Sequence, residues 1–151
     1  MRASRLSGNP RWVSALLAWP WAAPLLRLAL VSAYLVGGID KLLHFSDAVA
    51  EQAHFGLQPA ALWAALAIVV EIGGSLCIVV RRFAWLGAGG LAMLTLVAMA
   101  VANDFWNLTG AARFMAFNSF FEHLGLIAAL ALATRLDGLD NRDALGGRPR
   151  A

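Results

Sequence analysis

Apolar residues in this chain do not alternate with polar ones. They run on, in four stretches at roughly 24–43, 59–80, 83–103 and 114–134. Each has the ~20-residue length that a helix needs to cross a hydrocarbon core about 30 Å thick. A soluble helix keeps one polar face, whereas these stretches are apolar on every side, so the pattern predicts transmembrane helices. The second and third are the cleanest. The first carries Asp40 and Lys41, and the fourth carries Asn118, Glu122 and His123. Short polar connections between the stretches favour antiparallel neighbours. The expected fold is therefore an all-α integral membrane four-helix bundle, spanning 24–136.

The ends read differently. Residues 1–23 form a basic tail followed by WVSALLAWPW, an apolar patch too short to span before Pro20 and Pro24 interrupt it. Trp12, Trp19 and Trp21 suit a short interfacial amphipathic helix. A cleaved signal peptide fits less well, because the apolar character continues past Arg27 into a full span and no small-residue cleavage site ends the run. Residues 137–151 alternate Asp and Arg and finish in Gly and Pro, which predicts a disordered polar tail.

Composition agrees with the lipid reading. Of the 151 residues, 60% are hydrophobic and 14% charged, against about 25% charged in soluble domains. The net charge of +3 does not indicate nucleic acid, since the basic residues lie in short flanks and not in one stripe. Their placement instead gives topology. Arg2, Arg5, Arg11, Arg81, Arg82, Arg135, Arg142, Arg148 and Arg150 fall on one side of a four-span arrangement, and only Arg113 falls in the opposite connections. Cytoplasmic loops retain Lys and Arg, so both termini are expected in the cytoplasm. The single cysteine, Cys77, excludes an intrachain disulfide and any CxxC redox pair.

Candidate chemistry lies in the charges inside the spans. A charge at bilayer depth costs about 2.5–3.5 kcal/mol on insertion scales, so such groups pair or face a wet cavity. Helical spacing puts Lys41 in line with Gly37 and Ala33, Glu71 with Ala64, Ala67 and Gly74, and Glu122 with Asn118 and Gly125. Small residues beside each polar group permit close helix approach. Lys41 is expected to reach Glu71 or Glu122, with Asp40, His123 and Asn118 beside them in a ligand or proton site. Gly87, Ala88 and Gly90 of the third span would cover it. His44, Asp104 and Trp106 are candidate contacts at the outer mouth. A structural ion network that fixes helix register is the competing reading of the same residues. His44, His54 and His123 lack metal-ligand spacing, so no metal or haem is expected. Asn107–Thr109 matches the glycosylation triplet, a three-residue pattern of low specificity.

LLRLALVSAYLVGGIDKLLHF in the first span, AIVVEIGGSLCIVV in the second, the NDFWN loop and FFEHLGLIAALAL in the fourth together resemble the DoxX family of small membrane proteins. The resemblance covers roughly 24–136. Gly38 with Lys41, and Glu71 with Gly73 and Gly74, are its better motifs; family members commonly carry Lys and Asn where this chain has Glu122 and His123. It implies a four-helix membrane subunit, with a bacterial inner membrane as the setting, in some cases linked to quinone-dependent oxidoreductases. On that basis the chain is expected to hold no cofactor of its own, to meet a quinone, and to act with a redox partner subunit; a homo-oligomer is expected where the role is transport, since four short spans leave little room for alternating access. The alternatives are a solute, proton or metal-ion transport or export component, and a structural membrane anchor without activity. The sequence names no reaction.

Overall fold

A computed structural model describes residues 10–146, with side chains through Gly138. The described residues form six helices and no strands: α1 (Arg11–Leu17), α2 (Ala22–Leu43), α3 (Phe45–His54), α4 (Ala60–Val79), α5 (Ala84–Ala102) and α6 (Gly110–Gly146). Four of them, α2, α4, α5 and α6 as far as Gly138, are long and apolar enough to cross a membrane.

Breaks between helices follow local chemistry. α2 ends at His44, whose φ of −118° and ψ of 53° leave the helical region, and α3 starts at once beyond it. Gly56 takes a left-handed φ of 74° in the turn after α3, a conformation without steric cost for glycine. Pro59 then precedes α4, where its missing N–H deprives no helical hydrogen bond. The α4–α5 turn is tighter, with both Arg81 and Phe83 left-handed.

The surface inverts the pattern of a soluble protein. Val36, Val69, Trp85, Met93 and Phe114 are each more than 60% exposed. Ala64, Ala67 and Ser75 of α4 and Ala84, Gly87 and Ala88 of α5 are buried. Large apolar side chains thus point outward and small ones lie between helices, the arrangement expected when lipid replaces water and packing replaces the hydrophobic drive.

α4 is the central helix, packed against α2, α3 and α5, while α6 packs mainly on α5 and only lightly on α2. The closest crossing is between α4 and α5. A Cβ at Gly87 would collide with the Gly74 carbonyl oxygen and come within 2.9 Å of Cys77 Cβ, so backbone touches backbone there. Val31, Ile78, Leu91 and Leu130, one from each long helix and none more than 2% exposed, form an apolar plug with Ala88.

Two expectations need correction. The segment 44–58 is not simply a loop, since it contains α3, a ten-residue helix with Asp47 in its first turn and Ala48 buried. The tail expected to be disordered from 137 continues α6 as helix through Gly146, and residues 147–151 lie outside the described residues. Asp137 holds the extension in place: its carboxylate accepts from Arg27 of α2 at 2.6 Å and lies 3.3 Å from Arg81 in the α4–α5 turn. Among the basic residues used to infer topology, Arg2, Arg5, Arg148 and Arg150 are also outside the described residues.

Candidate functional site

Halfway along the long helices the polar side chains gather. Glu71 lies 11 residues into the 20 of α4, roughly 16 Å along a 30 Å helix. Tyr34, Thr95 and His123 occupy the middle of α2, α5 and the spanning part of α6. Lys41 starts nearer the end of α2 and reaches inward along its long stem. Its ammonium donates to Glu71 Oε1 at 2.9 Å and Oε2 at 3.2 Å. Both side chains are mostly enclosed, 22% and 11% exposed.

Gly37 and Gly38 make this approach possible. A Cβ at Gly38 would stand 2.9 Å from Ile72 Cγ1 and 3.0 Å from Glu71 Cβ. Gly37 leaves room beside Lys41 Nζ, which is 3.5 Å from where its Cβ would be. The sequence run GGIDK therefore combines a close α2–α4 contact with a cation one turn further on.

The ion pair borders two cavities. One, of about 210 Å³, is bordered by Ala33, Tyr34, Gly37, Leu94, Thr95, Ala98, His123 and Leu126 together with Lys41 and Glu71. An engineered protein cavity of about 150 Å³ accommodates benzene, so this space admits a six-membered ring. The other, of about 200 Å³, leads from the pair toward Glu51 and Gln52 of α3, between Trp63, Leu66 and Val101. On the side of the plug away from these cavities lies the Arg27–Asp137–Arg81 cluster.

Hydrogen-bond roles around the first cavity can be assigned. Thr95 Oγ1 donates to the Leu91 carbonyl at 2.8 Å, which leaves Tyr34 OH as donor in the 2.7 Å bond between them. His123 Nδ1 is 2.6 Å from the Ser119 carbonyl oxygen. Because a carbonyl can only accept, Nδ1 carries the hydrogen, and in a neutral ring Nε2 is left as an acceptor. Lys41 retains a third N–H beyond its two bonds to Glu71. The cavity thus combines an ammonium donor, a carboxylate, a histidine acceptor and apolar walls.

A family model described as DoxX matches residues 22–104, more than half of the chain. The chain belongs to the DoxX family. It is accordingly a DoxX membrane protein, and the matched region contains Lys41, Glu71, Tyr34 and Thr95 but stops short of α6. No curated protein and no solved structure matches the chain.

Of the residues singled out in the sequence, this DoxX protein brings together Lys41, Glu71 and His123. Glu122 is elsewhere. It is exposed on α6, and its carboxylate accepts from Asn118 Nδ2 at 2.8 Å. Adjacent residues on a helix diverge by about 100°, so His123 faces inward and Glu122 does not. Asp40 is 71% exposed and lies 3.1 Å from His44 Nδ1. These two border an open depression with Asp47 and Glu51. Asp104 and Trp106 are exposed, with Asn107 Nδ2 donating to Asp104 at 3.3 Å. No cluster of three or more His, Cys, Asp or Glu suited to a metal occurs among the described residues.

Tyr34 and Thr95 were not anticipated. Their signal is a hydroxyl in mid-span, for which a protein partner is favourable where no water is available. Asn103, 7% exposed, was also missed. With its amide nitrogen turned to the Ala116 carbonyl it donates at 2.8 Å and accepts from Phe120 N–H at 3.2 Å, tying the end of α5 to α6.

Proposed function

We propose that this DoxX protein binds the head group of a membrane quinone beside the Lys41–Glu71 pair, as an accessory subunit of a quinone-linked redox system. The observation that carries the reading is the mid-depth cavity of about 210 Å³ with a charged pair on one wall, Tyr34, Thr95 and His123 around it, and apolar side chains on the rest. A quinone carbonyl would accept from the free N–H of Lys41, and the opposite oxygen, when it bears hydrogen, would donate to His123. Any electrons would come from a cofactor-bearing partner, because the residues around the cavity include no electron carrier.

The α2–α6 seam supports an occupant with a tail. Leu26, Leu30, Ala33 and Gly37 follow one another on the same face of α2, as do Ala133, Ala129, Leu126 and His123 on α6. The first members of both series border an apolar groove of about 280 Å³, and the last border the polar cavity. Head and tail of an amphiphile would thus lie along one seam, between two helices that pack only lightly on each other. Among the described residues the apolar plug stands between the pair and the arginine cluster, which speaks for binding over passage of a solute. We further propose, on the arginine distribution, that both termini face the cytoplasm and the α3 end faces outside, with the family's bacterial inner membrane as the setting.

Purification in mild detergent followed by solvent extraction tests the reading. The wild-type chain is expected to carry close to one isoprenoid quinone per chain, and Lys41→Met to carry less than a tenth of that. A wild-type preparation free of quinone that also fails to bind added quinone overturns it, as does undiminished occupancy in Lys41→Met.

A further inference from the structure

Glu122 presents a problem that the quinone site does not solve. It stands one residue from His123, at the depth of the ion pair, yet its carboxylate points away from the other helices. Only 6% of the most apolar part of α6 is buried, compared with 33% for α4 and 28% for α5. A carboxylate facing acyl chains at mid-depth is costly, and interhelical hydrogen bonds are how membrane helices relieve that cost.

The face around it is built for contact. Met115, Asn118, Glu122 and Gly125 follow at helical spacing and all are exposed. A Cβ at Gly125 would meet nothing within 4 Å, so another helix can come close there. Phe114 and Phe121, 70% and 50% exposed, flank the line. No exposed Lys or Arg among the described residues lies at this depth, since Arg113 and Arg135 are near the ends of the span.

We propose that this face of α6 is the interface of a homodimer with its two-fold axis along the membrane normal. The argument for a second copy is self-complementarity. Asn118 uses one N–H on its own Glu122 and has a second, while Glu122 has a second oxygen. A two-fold axis places like residues at like depth. Each spare Asn118 N–H then donates to the Glu122 of the other chain, closing a ring of four hydrogen bonds. A different partner would need its own donor at that depth, whereas a second copy supplies one by symmetry.

The test uses the full chain in liposomes and in mild detergent. On a Cys77→Ser background, Gly125→Cys is expected to give an oxidised, covalently linked dimer, and Val69→Cys on the exposed face of α4 is not. Native mass spectrometry should show a wild-type dimer. The Asn118→Leu/Glu122→Leu variant, altered only at exposed positions, should raise the dimer dissociation constant at least tenfold. Glu122→Gln, which keeps hydrogen-bonding capacity, should retain the dimer. Equal cross-linking at Val69 and Gly125, a monomeric wild type, or an unchanged dimer in the double variant overturns the proposal. Quinone occupancy plays no part in these readouts, so either proposal can fail alone.

Discussion

Removing either member of the Lys41–Glu71 pair should destabilise the protein, and removing both should largely restore it. The two single losses are not equivalent. Lys41 begins two residues from the end of α2, about 3 Å along the axis, so without Glu71 its ammonium can swing toward the membrane surface. Glu71 is 8% exposed and roughly 16 Å into α4, so without Lys41 its short side chain has no such escape. Breaking a buried pair typically costs about 3–5 kcal/mol. Lys41→Met should therefore cost about 3 kcal/mol, and Glu71→Gln, with the escape available, nearer 1.5 kcal/mol. The double variant leaves neither charge in lipid and should fall within about 1 kcal/mol of wild type, a coupling of about 3.5–5.5 kcal/mol. Reversible unfolding in mixed detergent and dodecyl sulfate micelles, followed by tryptophan fluorescence, measures all four proteins. Additive effects, with the double variant as unstable as the sum of the singles, would refute the pairing as an energetic unit.

Other expectations concern packing and polar satisfaction. Gly87→Ala drives a methyl into the Gly74 carbonyl and should lower stability by about 1–3 kcal/mol, whereas Gly89→Ala, with nothing within 4 Å, should be neutral or slightly stabilising in the same unfolding assay. Ser75 is fully buried and its hydroxyl has no partner among the described residues, so Ser75→Ala should raise the unfolding midpoint by an amount worth roughly 1 kcal/mol; a clear loss would reveal a partner for that hydroxyl. Asn103→Leu abolishes both bonds to α6 and should cost about 1–3 kcal/mol, with hydrogen exchange rising first around Ala116–Phe120.

How much of this was legible in the sequence depends on the residue. The four spans were, because length and unbroken apolarity suffice to mark them, and their observed ends fall within a few residues of the expected ones. Lys41 and Glu71 stood out because charge in such a setting is rare. The choice between Glu122 and His123 was not legible. α6 is apolar on nearly every side, so no polar face marks which of two neighbours turns inward, and only its packing on α5 decides. Tyr34 and Thr95 carry no charge and are hidden among apolar neighbours. α3 escaped notice because FSDAVAEQAH is short and mixed in polarity, and its helix is organised by contact with α4. The contact at the start of the α6 extension past 136 is between Asp137 and Arg27, a pairing 110 residues apart that no local pattern reveals.

Photo-cross-linking with a quinone bearing a reactive group on its ring, followed by peptide mass mapping, tests the central claim most directly. The account expects labelling of Tyr34, His123 and Leu126, displaced by unmodified quinone and abolished in Lys41→Met. Labelling confined to exposed lipid-facing residues such as Val69 and Trp85, or undiminished by competition, would contradict it.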